Sequence, residues 1–245
     1  MQRTTEERVA VVTGGSRGIG KAIVRALAGD GWQVFFCSRS AESVDAALEE
    51  LGGSTDGGSP QDGPRVRGRA VDVRDEGAVD AFVAWVLEEA GRIDCLVNNA
   101  GLGRFGSIDE LSGVEWREVI ETNLSGAFYC IRAAAPAMRR QGSGWILNIA
   151  SLAGKNPFAG GAAYNASKFG MVGMSEAAML DLRHDGVRVT AILPGSVDTD
   201  FHSRKERQWM LHPDDVARTV LDLLAYPARA LPSQVEIRPS QPPRK

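Results

Sequence analysis

Hydrophobic and polar positions along this chain switch repeatedly between a short apolar run and a helical spacing. Arg8 to Thr13, RVAVVT, is a β-branched run that predicts a strand, and the glycine-rich GGSRGIG follows it before a helical segment from Lys21 to Ala28. The pattern then repeats. Strands are predicted at Gln33 to Cys37, Val66 to Val71, Ile93 to Val97, Trp145 to Ala150, Val187 to Leu193 and Ser233 to Ile237. Between them lie helices at Ala41 to Leu51, at Glu76 to Ala90 with Val79, Phe82, Val83 and Val86 at helical spacing, and at Ser112 to Arg140. Two further helices run from about Tyr164 through Met171, Met174, Ala178 and Leu182, and from Pro213, with Asp214 and Asp215 in its first turn.

This alternation predicts an α/β fold, a doubly wound parallel sheet with helices on both faces. Ligands of such sheets lie beyond the carboxyl ends of the strands. The stretch GGSTDGGSPQDGPR has no apolar period and reads as a flexible insertion over residues 52–65 within one domain spanning 1–245. The end, 239–245, reads as a flexible tail. Phe201 to His212, with Arg204, Lys205, Arg207, Trp209 and Met210, reads equally as a lid or as a solvated basic turn.

Composition narrows the class. The chain has 245 residues, 43% hydrophobic and 24% charged, enough to bury a full core. A formal charge of -3 offers no global attraction to nucleic acid or anionic membranes. Cys37, Cys95 and Cys130 are odd in number, lack metal-ligand spacing and sit in apolar segments, so they read as core residues. No metal site is expected. The start, MQRTTEER, has no apolar leader core and no apolar run spans a bilayer, so a cytoplasmic protein is expected.

Candidate chemistry gathers at the predicted strand ends. In the glycine loop, Gly14 suits a tight turn, Gly18 a close approach to phosphate, and Gly20 the packing of helix on strand. The helix start then offers unpaired N–H groups to an anion. Ser38 and Arg39 follow the second strand, where an NAD-selecting fold usually carries an acid; Arg39 and Arg17 instead suit a 2′-phosphate, which favours NADP. Asp72 and Val73 end the third strand, and either contact an adenine or cap the next helix. Asn98, Asn99, Ala100 and Gly101 close the fourth, with structural and cofactor roles both open for the asparagines. Asn123 interrupts an apolar helix face of Val119, Ile120, Leu124 and Phe128 and needs partners, a water or a ligand. Ser151 ends the fifth strand, and Pro194 and Gly195 the sixth. Tyr164 and Lys168 lie one helical turn apart, and an ammonium beside the phenol would favour its ionised form.

Taken in order, TGGSRGIG at Thr13 to Gly20, NNAG at Asn98 to Gly101, Asn123 in ETNLSG, Ser151 in IASLAG, AYNASK around Tyr164 and PGSVDT at Pro194 to Thr199 resemble the short-chain dehydrogenase/reductase family over nearly the whole chain. The resemblance implies a single Rossmann-type domain of seven strands, and an NADP(H)-dependent oxidoreductase moving hydride between nicotinamide and a carbonyl or secondary alcohol. It implies a catalytic tetrad of Asn123, Ser151, Tyr164 and Lys168, with Tyr164 as general acid and base, Lys168 depressing its pKa and Asn123 anchoring a water. It also implies cofactor contacts from Gly14, Ser16, Arg17, Gly18, Ile19, Gly20, Ser38, Arg39, Asp72, Val73, Asn99, Ala100, Gly101, Tyr164, Lys168, Pro194, Gly195, Val197 and Thr199, and homodimers or homotetramers paired through the long helices.

The type resembled is the 3-oxoacyl carrier-protein reductase, but relatives of that type often end in a strand followed by an aspartate and two glycines, and this chain ends LPSQVEIRPSQPP. Arg104, Phe105, Lys155 and Phe158 are expected to make a mixed apolar and cationic substrate mouth that suits an acidic group. The competing readings are an NAD-linked alcohol, polyol or steroid dehydrogenase, and a non-catalytic NADP-binding sensor or scaffold.

Overall fold

The computed structural model describes residues 7–54, 65–199 and 208–243. Seven strands form one sheet: β1 (Val9–Thr13), β2 (Gln33–Ser38), β3 (Val66–Ala70), β4 (Cys95–Asn98), β5 (Gly144–Ile149), β6 (Val187–Pro194) and β7 (Gln234–Ile237). Their order is β3-β2-β1-β4-β5-β6-β7, and every neighbouring pair is parallel. Central strands are buried on both faces, which is why they read as continuous apolar runs rather than alternating ones.

Helices cover both faces. Residues of α1 (Gly18–Gly29), α2 (Ala41–Leu51) and α7 (Pro213–Leu224) share one core with Val12, Phe36 and Leu147. Residues of α3 (Glu76–Ala90), α5 (Gly126–Gln141) and the end of α6 (Ala162–Leu182) pack in the other, around Val11, Phe35 and Ile146. All three cysteines are buried and free, as their apolar settings predict. No described helix is long and apolar enough to cross a membrane.

The long helical region expected from Ser112 to Arg140 is three pieces. Ser112 caps α4 (Gly113–Ile120), accepting from the Glu115 N–H while the Glu115 carboxylate accepts from the Ser112 N–H. One π turn, Glu121–Ser125, then feeds α5. The extra residue of that turn places Asn123 wholly in the interior. Phe128, by contrast, is 48% exposed, so the apolar face assigned to it around Asn123 is not a continuous core face.

One polar thread runs through the core. Asn98 Nδ2 donates to Asn148 Oδ1 (2.8 Å), Asn148 Nδ2 to Ser175 Oγ (2.8 Å), and Ser175 Oγ to the Met171 carbonyl (2.6 Å). Asn98 therefore ties β4 to β5 and α6, which resolves the open choice at that residue in favour of structure.

The expected insertion lies mostly outside the described residues, which resume at residue 65. Its flanks are anchored: Gly52 ends α2 in the left-handed region, and Ser54 pairs with Arg67 of β3. Of the expected lid, residues 201–207 lie outside the described set. Its last part returns to the fold, with the Leu211 N–H donating to the Ser196 carbonyl (3.0 Å) and the Asp198 N–H to the Leu211 carbonyl (2.8 Å). The described part of the tail keeps Pro239 against Gly195.

Candidate active site

β1 and β4 are adjacent, yet the chain after β1 leads to α1 on one face and the chain after β4 leads away on the other. A crevice must open at their carboxyl ends. A cavity of about 440 Å³ lies there, bounded by the ends of β1, β2, β4, β5 and β6. Its walls include all nineteen expected cofactor residues, from Gly14 through Arg39, Asp72 and Gly101 to Thr199, and also Ser151.

The glycine loop is held from across the crevice. Asn99 Nδ2 donates to the carbonyls of Thr13 (2.9 Å) and Gly14 (3.1 Å), while Thr13 Oγ1 accepts from the N–H groups of Asn99 and Ala100, both at 3.0 Å. Gly14 turns at φ +67, and a Cβ on Gly20 would stand 2.1 Å from the Gly14 carbonyl oxygen. The helix that follows starts at Gly18, three residues earlier than its apolar spacing predicts, with no side-chain cap and no acidic residue in its first turn. Its first N–H groups therefore face the cavity without a competing carboxylate, a setting that fits a phosphate.

The end of the cavity near β2 and β3 is cationic. Arg17 and Arg39 are exposed on its wall, and Ser16 Oγ, Ser38 Oγ and Ser43 Oγ form a hydroxyl row at 2.8 and 3.0 Å beside them. Arg74 also lines this end and was not anticipated, although it directly follows Asp72 and Val73 at the same strand end. Its guanidinium grips the Asp72 carboxylate from Nε (3.0 Å) and Nη2 (2.5 Å), which holds that carboxyl below its usual pKa. Asp72 is thus already engaged by a cation, and Ser38 and Arg39 at the end of β2 supply no acid for NAD ribose hydroxyls. These residues fit a dinucleotide carrying a third phosphate on its adenosine half.

At the other end Ser151, Tyr164 and Lys168 meet. Ser151 follows β5 in an extended conformation, and its side chain hydrogen-bonds Tyr164 and accepts from the Ala153 N–H (3.1 Å). Lys168 Nζ donates to the Ile149 carbonyl (2.8 Å) and lies 5.7 Å from the centroid of the Tyr164 ring. The expected depression of the tyrosine pKa by lysine is corrected by this geometry. Burial raises the Tyr164 pKa, with the Ser151 hydrogen bond as the opposing influence, and burial lowers Lys168 to about 8. Helical spacing does bring the two residues to one face, but the ammonium is drawn to the end of β5 and is itself desolvated.

Asn123 is the one member of the expected tetrad outside the cavity wall. Its Nδ2 donates to the Leu102 carbonyl (2.9 Å) and Ser167 Oγ (3.0 Å), its Oδ1 accepts from the Leu102 N–H (2.8 Å), and Ser167 Oγ in turn donates to the Tyr164 carbonyl (2.8 Å). Both amide hydrogens are taken by protein. The side chain ties the chain after β4 to the helix of Tyr164.

At the mouth, Phe105 and Phe158 flank Tyr164. Arg104 pairs with Glu118 (2.9 Å), which Arg39 also approaches (3.9 Å), and Lys155 pairs with Glu236 (2.8 Å), which Arg238 also holds (2.7 Å), so the expected cations are ion-paired but outnumber their carboxylates. Among the described residues no cluster of three or more His, Cys, Asp or Glu could hold a metal ion.

Comparison with known proteins agrees with this geometry. Residues 8–209 match the family described as short chain dehydrogenase. A putative ketoacyl reductase of Streptomyces coelicolor is 40% identical over 198 residues, covering 80% of this chain and 73% of that protein. The crystal structure of a metagenomic short-chain oxidoreductase in complex with NADP superposes with a TM-score of 0.81 at 38% identity, over 96% of this chain and 98% of that one. The actinorhodin polyketide ketoreductase with NADPH superposes with a TM-score of 0.85 at 33% identity, over 97% and 98%.

The desolvated lysine has a measurable signature. Its pKa is about 8 when folded against an ordinary 10.5, so between those values the unfolded chain holds the proton that the folded chain has released. Stability from this group therefore rises with pH across that window and is weakest below it. The difference in melting temperature between wild type and Lys168→Met should shift in favour of wild type from pH 8 to pH 10.5. A difference that stays flat over the window would show that Lys168 is not held in a low-dielectric setting.

Proposed function

The chain belongs to the short chain dehydrogenase family, and from that premise we propose how its residues divide the work of an NADP-dependent oxidoreductase acting on a small-molecule carbonyl or secondary alcohol. The single observation that carries the assignment is the meeting of Ser151, Tyr164 and Lys168 at the end of a cavity whose other end is lined by Arg17, Arg39 and Arg74. When bound, the nicotinamide supplies or accepts the hydride.

The glycine loop from Gly14 to Gly20, with Ser16 and Ile19, receives the pyrophosphate at the start of α1. Arg17 and Arg39 take the 2′-phosphate beside the Ser38 hydroxyl, with Arg74 as a third cation at that end. Asp72 and Val73 contact the adenine. Asn99, Ala100 and Gly101 shape the floor, and Pro194, Gly195, Val197 and Thr199 the opposite wall.

As hydride reaches a carbonyl carbon, negative charge collects on its oxygen. Ser151 donates a hydrogen bond to that oxygen, and Tyr164 gives up its phenol proton to it. A phenol kept protonated by burial is suited to donation. Lys168, when charged, supports the phenolate that this step leaves and holds the cofactor ribose. Asn123 acts as a positioning residue, fixing Leu102 against the Tyr164 helix.

The protein is further proposed to form a homodimer or homotetramer through α4, α5 and α6. Trp116, Phe128, Phe169 and Leu180 leave large apolar side chains 41 to 55% exposed on those helices, surface that a second copy would remove from water. Light scattering should report two or four chains per particle, and a monomer at micromolar concentration would overturn this arrangement.

Tyr164→Phe should lower turnover by roughly 10²-fold or more while leaving NADPH affinity near wild type, read by NADPH oxidation and by fluorescence titration. Normal turnover in that variant would remove Tyr164 as the proton donor. Arg39→Asp should weaken NADPH by roughly tenfold or more and NADH far less, since a charge-assisted contact to the 2′-phosphate is lost. Equal losses for both nucleotides would locate Arg39 away from that phosphate.

A further inference from the structure

Tyr164 packs against two phenylalanine rings that the proton transfer does not use. Phe105, from the chain after β4, has its ring centroid 5.8 Å from Tyr164 at 62°, and Phe158, from the chain after β5, lies at 6.4 Å and 48°. The two phenylalanines are 5.9 Å apart at 47°. Despite these contacts they remain 50% and 46% exposed. Paired aromatic surface left open beside a reactive hydroxyl is the kind of apolar patch that marks a ligand contact.

The rings are seated rather than loose. The Gly106 N–H donates to the Gly160 carbonyl (2.9 Å), Gly106 and Gly161 pair as a parallel bridge, and Asn165 Nδ2 donates to the Phe158 carbonyl (2.9 Å). The Phe158 ring lies directly on Gly161, where a Cβ would stand 2.5 Å from Cε2. Any side chain at Gly161 must displace the ring. The same two loops carry Arg104 and Lys155, each in an ion pair whose carboxylate, Glu118 or Glu236, is shared with a second cation, Arg39 or Arg238. The loops therefore present aromatic faces to a substrate and hold their cations in ion pairs.

We propose that Phe105 and Phe158 form a preset aromatic wall that selects aryl and fused-ring ketones at Tyr164 over saturated or linear carbonyl compounds. This inference rests on the oxidoreductase reading and deepens it by naming a substrate class. A flat aryl group meets the exposed part of both side chains, and aromatic contacts add to the area removed from water, worth roughly three- to tenfold in discrimination for one good ring pair.

The test compares 2-tetralone with 2-decalone, which share a carbon skeleton and an unconjugated carbonyl and differ in one aromatic ring. With NADPH, wild type should show a kcat/KM for 2-tetralone roughly tenfold or more above that for 2-decalone, and the ratio should fall toward one in Phe105→Leu, Phe158→Leu and Gly161→Ala. Equal values in wild type, or a ratio that survives in all three variants, would overturn the proposal while leaving the oxidoreductase reading intact. If neither ketone is reduced, that reading is at fault, and calorimetric titration of the NADPH complex with 2-naphthol against 2-decalol decides the wall by itself. A preference for 2-naphthol that the variants lose upholds the wall, and no preference overturns it.

Discussion

Everything at this site depends on how two adjacent parallel strands part company. At the ends of β1 and β4 the chain departs in opposite directions, and the exposed strand-end groups need partners. Asn99 and Thr13 supply them across the gap, so one amide and one hydroxyl bind the glycine loop to the start of the substrate-side chain. The crevice is kept open and shaped by the same contacts. Gly14 and Gly20 are then constrained by a backbone approach that no side chain would tolerate.

The two ends of the cavity solve opposite electrostatic problems. At the adenosine end Arg17 and Arg39 are exposed, Arg39 lying 3.9 Å from Glu118, and the one acid on the wall, Asp72, is answered by Arg74. Charge there is inexpensive to maintain and suits recognition of a highly anionic group. At the reacting end, burial works against every charge. It raises the Tyr164 pKa and lowers Lys168 to about 8, so the phenol stays protonated and the lysine holds its proton less firmly than an exposed one would. A proton donor that stays protonated and a lysine poised near neutrality suit a step in which negative charge appears only as the reaction proceeds.

Positioning comes from buried polar contacts that never touch the reacting atoms. The π turn in the helix after Ser112 drives Asn123 inward, where it grips Leu102 and, through Ser167, the turn that carries Tyr164. The thread from Asn98 through Asn148 to Ser175 locks β4, β5 and α6 together two turns further along. With these ties the mouth loops inherit a defined register, and the Gly106 and Gly161 bridge extends it to the two exposed rings.

The order of strands and helices, the parallel sheet and the residues at its carboxyl edge were legible in the sequence, because buried parallel strands are apolar throughout and helices keep their own period. Glycine spacing, the Tyr164 and Lys168 turn and the absence of an acid after β2 pointed to the chemistry for the same local reason. What only the tertiary structure decided involves residues distant in sequence. Arg74 acquires its place from the strand end it shares with Asp72, and the cations expected at the mouth are paired with Glu118 and Glu236, 14 and 81 positions away from Arg104 and Lys155. Asn123 is made a tie between Leu102 and the Tyr164 helix by a π turn that leaves no period in the apolar pattern. The direction of the Tyr164 and Lys168 pKa shifts also belongs to the fold, since proximity in a helix is local but desolvation depends on everything packed around it.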